Sequence, residues 1–250
     1  RMVKKDKVYA FVQARLSSTR FKNKVIKKIK NNPLIELLLK RLKKSKLIDK
    51  IVVLIPDSKS EDKLEKLIKK KGFDVFRGSK NNVLDRFYQA SKKYNPNYII
   101  RITADCPLVD ISIVNKLIRN IIKKEFDYAS NTNPPTYPDG LDVEIFNVAT
   151  LDYAWRKAKK KYDKEHVTPF IIRSRNKKKF NLIYKKDLSH IRLTVDYKED
   201  FQLIKKIFNY FSPNIHFKWQ KAFELNGSKK HWFRRNKDYK RNEGSKNIKW

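Results

Sequence analysis

The chain has 250 residues, 40% of them hydrophobic and 12% aromatic, which is enough to bury the core of one large domain. Its formal net charge of +35 comes from 61 Lys plus Arg against 26 Asp plus Glu, but the lysines run over nearly every predicted helix, so no dedicated nucleic-acid surface is implied. The single cysteine, Cys106, excludes an intrachain disulfide and a Cys-rich zinc site; no apolar run reaches the ~20 residues of a bilayer span, and RMVKKDK is no signal peptide, so a cytoplasmic location is expected.

Periodicity predicts strands over Val8–Gln13, Ile51–Ile55, Val75–Phe76 and Tyr98–Ile102, separated by helices over Leu34–Lys44, Asp62–Lys71 and Val83–Tyr94. This β-α-β-α-β-α-β alternation calls for an α/β fold with a mostly parallel central sheet and helices on both faces. Ligands of such sheets sit beyond the carboxyl ends of the strands. From about Tyr128 the pattern changes to short strands around YASN and LDVEIF, and helices near Val148–Lys159 and Glu165–Ser174. Strands near Phe180–Tyr184 and Ile191–Val195 follow, then a helix over Glu199–Tyr210. No repeat or Pro/Gly/Ser linker interrupts residues 1–211, which are expected to form one domain. After Phe211 the chain reads as irregular, and residues 212–250 are expected to be a basic, partly ordered C-terminal extension.

The first strand runs into VQARLSSTRFKNK, a polar and basic loop. The five glycines, Gly72, Gly78, Gly140, Gly227 and Gly244, permit neither G-x-G-x-x-G nor G-x-x-x-x-G-K-[ST]. Phosphates at this sheet edge would have to be held by side chains and by the backbone amides of the Ala14–Ser18 turn. Arg15, Arg20 and Lys24 suit that task, because guanidinium forks match phosphate oxygens and an ammonium adds a movable point charge. A solvated basic loop is the plain alternative. What argues against it is RITADCPLVD, which puts Asp105 directly after the fourth strand, and IRLTVDYKED, which ends another apolar run in Asp196. One carboxylate after each of two strands is what Mg²⁺ needs when the phosphates of a nucleotide complete its octahedron. Each aspartate could instead cap a helix, Asp105 the one starting near Ile111 and Asp196 the one from Glu199. The four histidines include no i, i+4 pair, which disfavours zinc, and Cys106 is expected to pack behind Asp105.

The segments VQARLSSTRFKNKVI, FRGSKNNVLDRFYQA, RITADCPLVD, YASNTNPPTYPDGLDVEIF, EHVTPFI and LSHIRLTVDYKEDFQLI occur in this order. Together they resemble the cytidylyltransferases called spore coat polysaccharide biosynthesis protein F and, more distantly, CMP-Kdo and CMP-sialate synthetases. The resemblance implies a Rossmann-like nucleotide-diphospho-sugar transferase fold over residues 1–211. It also implies an enzyme that couples CTP to a sugar acid or related anionic acceptor with Mg²⁺, for surface polysaccharide synthesis, as a homodimer. On this pattern Ala14, Arg15, Ser18, Arg20 and Lys24 would hold the triphosphate, with Arg77, Ser79, Asp85 and Arg86 beside base and ribose. Asp105 and Asp196 would carry the metal; Asp139, Asp142, Glu144, Glu165 and His166 would line the acceptor pocket. Asp142 and Glu144, two apart on a predicted strand, share a face. Arg15, Lys24, Asp105 and Asp196 would be catalytic. The chain departs from the pattern in its opening loop, where Ser17, Phe21 and Asn23 replace two glycines and a proline pattern, which matters wherever the backbone needs positive φ. The rival readings are a nucleotidyltransferase using another nucleoside triphosphate or a sugar phosphate, and a non-enzymatic polyanion-binding protein.

Overall fold

The computed structural model describes residues 6–239 and 241. The first half alternates as the sequence predicts. β1 (Val8–Gln13) leads through a short hairpin, β2 (Lys28–Ile29) and β3 (Asn32–Pro33), into α1 (Leu34–Leu42); β4 (Lys50–Pro56), α2 (Asp62–Lys70), β5 (Asp74–Gly78), α3 (Val83–Tyr94), β6 (Tyr98–Thr103) and α4 (Ile111–Lys124) follow. The second half comprises β7 (Tyr128–Ser130), β8 (Glu144–Asn147), α5 (Val148–Lys157), α6 (Lys161–His166), α7 (Pro169–Arg173), β9 (Lys179–Asn181), α8 (Lys198–Phe211), α9 (Trp219–Ser228) and α10 (Lys230–Phe233).

Seven strands form one sheet in the order β5-β4-β1-β6-β8-β7-β9. β5, β4, β1 and β6 are mutually parallel, while β8 runs antiparallel to both β6 and β7. Strands buried on both faces need apolar residues at consecutive positions, which is why VYAFV and IVVLI read as continuous apolar runs. One face of the sheet packs on leucines and isoleucines of α1, α2, α4, α8 and α9, the other on α3, α5 and α7. No helix among the described residues is long and apolar enough to cross a membrane.

Three expectations are corrected. The helix predicted over Glu165–Ser174 breaks at Val167, whose φ of 71° ends α6 before Pro169 starts α7. The strand predicted at Ile191–Val195 makes only a bridge, Asp139 with Arg192, because its amides change partner: Leu193 N donates to Asp139 O (2.7 Å) and Val195 N to Asp105 O (2.8 Å). Gly140, at φ 102°, makes this crossing possible, since a Cβ there would lie 2.4 Å from Thr194 N. Finally, residues 212–233 are not irregular, while the last part of the expected basic extension, residue 240 and residues 242–250, lies outside the described residues. Trp219 of α9 is 1% exposed and belongs, with Phe217, Ala222, Leu225 and Phe233, to the main core. Arg41 of α1 ties this segment down by donating to the carbonyls of Val109 (3.0 Å), Leu108 (3.3 Å), Ile215 (2.6 Å) and Phe217 (3.1 Å).

Candidate active site

β1 ends beside β4 and β6, so the loop after it emerges at the carboxyl edge of the parallel strands. Ala14 N donates to Leu54 O (3.0 Å), and Leu16 N donates to the carboxylate of Glu61 (2.9 and 3.2 Å), a buried glutamate that sequence reading passed over. The loop turns without its missing glycines. Neither Ser17 nor Phe21 has positive φ, and the one left-handed position, Asn23 (φ 58°, ψ 23°), carries a residue that tolerates it. Asn23 N bonds Leu16 O (3.2 Å), closing the loop, and Lys24 is thereby turned into the protein. Arg15 stays exposed and makes no hydrogen bond or ion pair with any described residue, while Ser18 Oγ accepts from Phe21 N (3.4 Å).

Lys24 is the meeting point of the two carboxylates. Its Nζ lies 3.3 Å from Asp105 Oδ2 and 2.7 Å from Asp196 Oδ1, which also accepts from Arg20 Nη2 at 2.8 Å. Burial alone would raise the pKa of Asp196, but Lys24 and Arg20 outweigh it and hold that carboxyl down at about 2. Burial likewise opposes the charge on Lys24, and the two aspartates override it, raising its pKa. Neither aspartate caps a helix. Asp110 caps α4, accepting from Ser112 N (2.8 Å), and Asp200 takes the N–H groups of Asp196 and Tyr197 (both 2.9 Å) at the start of α8. Cys106 is buried, and burial with the Asp105 charge pushes its thiol well above the ordinary range, so it has no thiolate to offer as a nucleophile.

No group of three or more His, Cys, Asp or Glu side chains among the described residues forms a metal cage. Two carboxylates converging on one cation are, however, the donor set that Mg²⁺ takes from a protein when phosphate and water complete its shell. The residues present fit that ion.

Arg192, also missed by sequence reading, organises the ground behind Asp196. Its guanidinium donates to Asp200 (2.9 and 3.0 Å), Asp139 Oδ2 (3.1 Å) and Asp196 Oδ2 (3.3 Å). Asn131 clasps the neighbouring segment, its amide bonding Leu141 O and Val143 N (both 2.9 Å), and so fixes Asp142 between them. Asp142 Oδ1 accepts from Arg241 Nη2 at 2.5 Å, and Asp142 and Glu144 act electrostatically on each other. Both oxygens of Glu144 are taken, Oε2 by Arg101 Nη1 and Oε1 by Tyr128 OH (2.6 Å). His166 is half-buried, and burial lowers its pKa; exposed Glu165 opposes this, while the charges of Arg101 and Arg15 add to it.

Asp139 is buried beside Asp142, which raises its carboxyl to about 7 despite Arg241 and Arg192. A carboxyl raised in the folded state gives stability that is complete below its unfolded pKa and lost as pH rises through its folded one. The parent is expected to lose Tm as pH rises between about 4 and 7, and Asp139→Asn to flatten that fall; thermal melts measure both, and unchanged curves would contradict the assignment.

The residues expected around base and ribose are only partly brought together. Arg86 is buried, its pKa lowered to about 10 by burial and the Arg15 charge, and it donates to Ser79 O (3.0 and 2.7 Å). Gly78 lacks the Cβ that would lie 2.7 Å from Arg86 Cγ. Ser79 Oγ accepts from Asn82 N (3.1 Å), and Asp85 accepts from Trp155 Nε1 (2.8 Å) and Gln89. Arg77 goes elsewhere: its guanidinium bonds Asp57, Asp62, Glu65 and Ser58 O, and none of its contacts is with the loop, Asp105 or Asp196.

A cationic loop after the first strand, set against two carboxylates at the ends of later segments, defines a nucleotidyltransferase built on a Rossmann-like sheet. The family model described as cytidylyltransferase matches residues 9–231, and the chain belongs to that family. It is a CTP-dependent enzyme of that class. The chain is 32% identical over 205 residues to the spore coat polysaccharide biosynthesis protein SpsF of Bacillus subtilis, covering 79% of this chain and 84% of that one. A cytidylyltransferase from Leptospira borgpetersenii superposes with a TM-score of 0.89 at 30% identity, over 94% of this chain and all of that one. CMP:2-keto-3-deoxy-manno-octonic acid synthetase, solved with CTP, shares the fold at a TM-score of 0.64 and 13% identity, over 82% and 99% of the two chains.

Proposed function

We propose that the chain transfers CMP from CTP to an anionic, sugar-like acceptor and releases pyrophosphate, in the synthesis of a surface glycan. The observation that carries this reading is the convergence of Asp105 and Asp196 on Lys24 at the mouth of the Arg15–Arg20 loop. An acceptor oxygen attacks the α-phosphorus in line, the bond to the bridging oxygen breaks, and the electron pair leaves with pyrophosphate. Arg15, Arg20 and the loop amides hold the triphosphate, and Lys24 neutralises charge growing on the departing group. Asp105 and Asp196 would hold Mg²⁺, which when bound supplies further neutralisation of phosphate charge. The polysaccharide role of SpsF and the sugar-acid product of the synthetase support the acceptor class. Pyrophosphate release from CTP, ATP, GTP and UTP, with a panel of sugar acids and sugar phosphates, tests the reading. Release is expected only with CTP and an anionic acceptor together; release from CTP without acceptor, or equally from all four nucleotides, would count against it.

A further inference from the structure

Arg101 is not used by the transfer chemistry above, and its place in the fold is unusual. It sits within β6, whose Ile99, Ile100 and Ile102 are buried, and its side chain is 14% exposed. Register sets it beside Phe11 of β1 and opposite Glu144 of β8, so it stands between the nucleotide loop and the segment carrying Asp142 and Glu144. Its Nε donates to Gln13 Oε1 (3.1 Å), its Nη1 to Glu144, and Glu144 is anchored in turn by the buried Tyr128. These bonds fix the plane of the guanidinium. The third nitrogen, Nη2, has no partner among the described residues and is not among the buried unpartnered polar atoms, so its two N–H donors face solvent, held in a fixed orientation where a ligand can meet them. The surroundings favour an anion. Arg15 is unpaired, and the charges of Arg15 and Arg101 both reach His166, whose ring they help to keep neutral.

We propose that Arg101 recognises the anionic group of the acceptor, Nη2 donating to its carboxylate or phosphate oxygens while Gln13 and Glu144 hold the guanidinium in position. This rests on the transfer reading and adds the residue that selects the acceptor; Glu144 becomes a positioning residue rather than a ligand of acceptor hydroxyls.

Replacing Arg101 alone by an apolar residue would leave Glu144 buried and unpaired and endanger the fold. Two variants avoid this: Arg101→Lys, which keeps a charge for Glu144 but loses the fork, and the double variant Arg101→Met with Glu144→Gln, which removes both charges. Each is saturated with a non-hydrolysable CTP analogue and titrated calorimetrically with 2-keto-3-deoxyoctonate, glucose 1-phosphate and uncharged glucose. The parent protein is expected to bind one of the two anions, which identifies carboxylate or phosphate as the group read, and to bind glucose far more weakly. Both variants are expected to bind that anion about tenfold more weakly or worse, with affinity for the analogue within about threefold of the parent. Anion affinity unchanged in the variants, or no anion preferred to glucose, overturns the inference and leaves the transfer reading standing. Failure of the parent protein to bind the CTP analogue overturns both.

Discussion

Asp105→Asn is expected to lower the rate of CMP transfer by about a thousandfold or more, and Asp196→Asn to do the same, because each removes a charge from the pair proposed to face the triphosphate. The substitution keeps the size of the side chain, and Asp105 caps no helix, so the fold should be little affected; Asp110 and Asp200 carry that structural work. A readout independent of turnover accompanies the loss. In the absence of divalent cations, CTP should bind Asp105→Asn at least as tightly as the parent, since a negative charge near the phosphates has gone. In Mg²⁺ the order should reverse. Calorimetric titration of CTP under both conditions checks this. Near-normal turnover in Asp105→Asn, with melting unchanged, would show that the two carboxylates do not carry the reaction.

Arg192→Met is expected to cost the largest share of stability. The side chain of Arg192 is 4% exposed and faces Asp139, Asp196 and Asp200, so its removal leaves three poorly solvated carboxylates without their common cation. Breaking a buried ion pair from one side costs about 3–5 kcal/mol, which for a chain of this size lowers Tm by about 10 °C. The deficit should depend on pH in a defined sense. Asp139 already titrates near 7, and losing Arg192 raises it further. A raised carboxyl withdraws stability above its folded pKa and returns it as pH falls, so the gap between variant and parent should be wider at about pH 8 than at about pH 5.5. Thermal melts across that range measure it. A Tm within a degree or two of the parent, or a gap indifferent to pH, would mean that Arg192 does not balance these carboxylates.

The parallel half of the fold was legible because strands covered on both faces have no freedom to alternate, and Asp105 and Asp196 stood out where apolar runs stopped. Which aspartates would cap helices was not legible. Asp105 and Asp110 lie in one motif, as do Asp196 and Asp200, and what separates their roles is contact with distant residues: Trp219 N bonds Asp110, and Arg192 bonds Asp200. The apolar alternation of Ile191–Val195 correctly marked buried residues, but not that its amides would pass from Asp139 to Asp105. Residues 215–219 looked irregular because the group that orders them, Arg41, lies more than 170 positions earlier in the chain. Arg101 was overlooked for a related reason: within RITADCPLVD it is one more cation in a lysine-rich chain, and only the register with Glu144 gives it a place.

The most direct test of the account follows the α-phosphate. CTP carrying ³²P at that position is incubated with the protein, Mg²⁺ and the acceptor that supports pyrophosphate release, in parallel with Asp105→Asn. Label is expected to pass into an acceptor conjugate in step with pyrophosphate release, and the variant to form almost none. Label that remains in CTP, or that appears as free CMP without any conjugate, would contradict the proposed transfer.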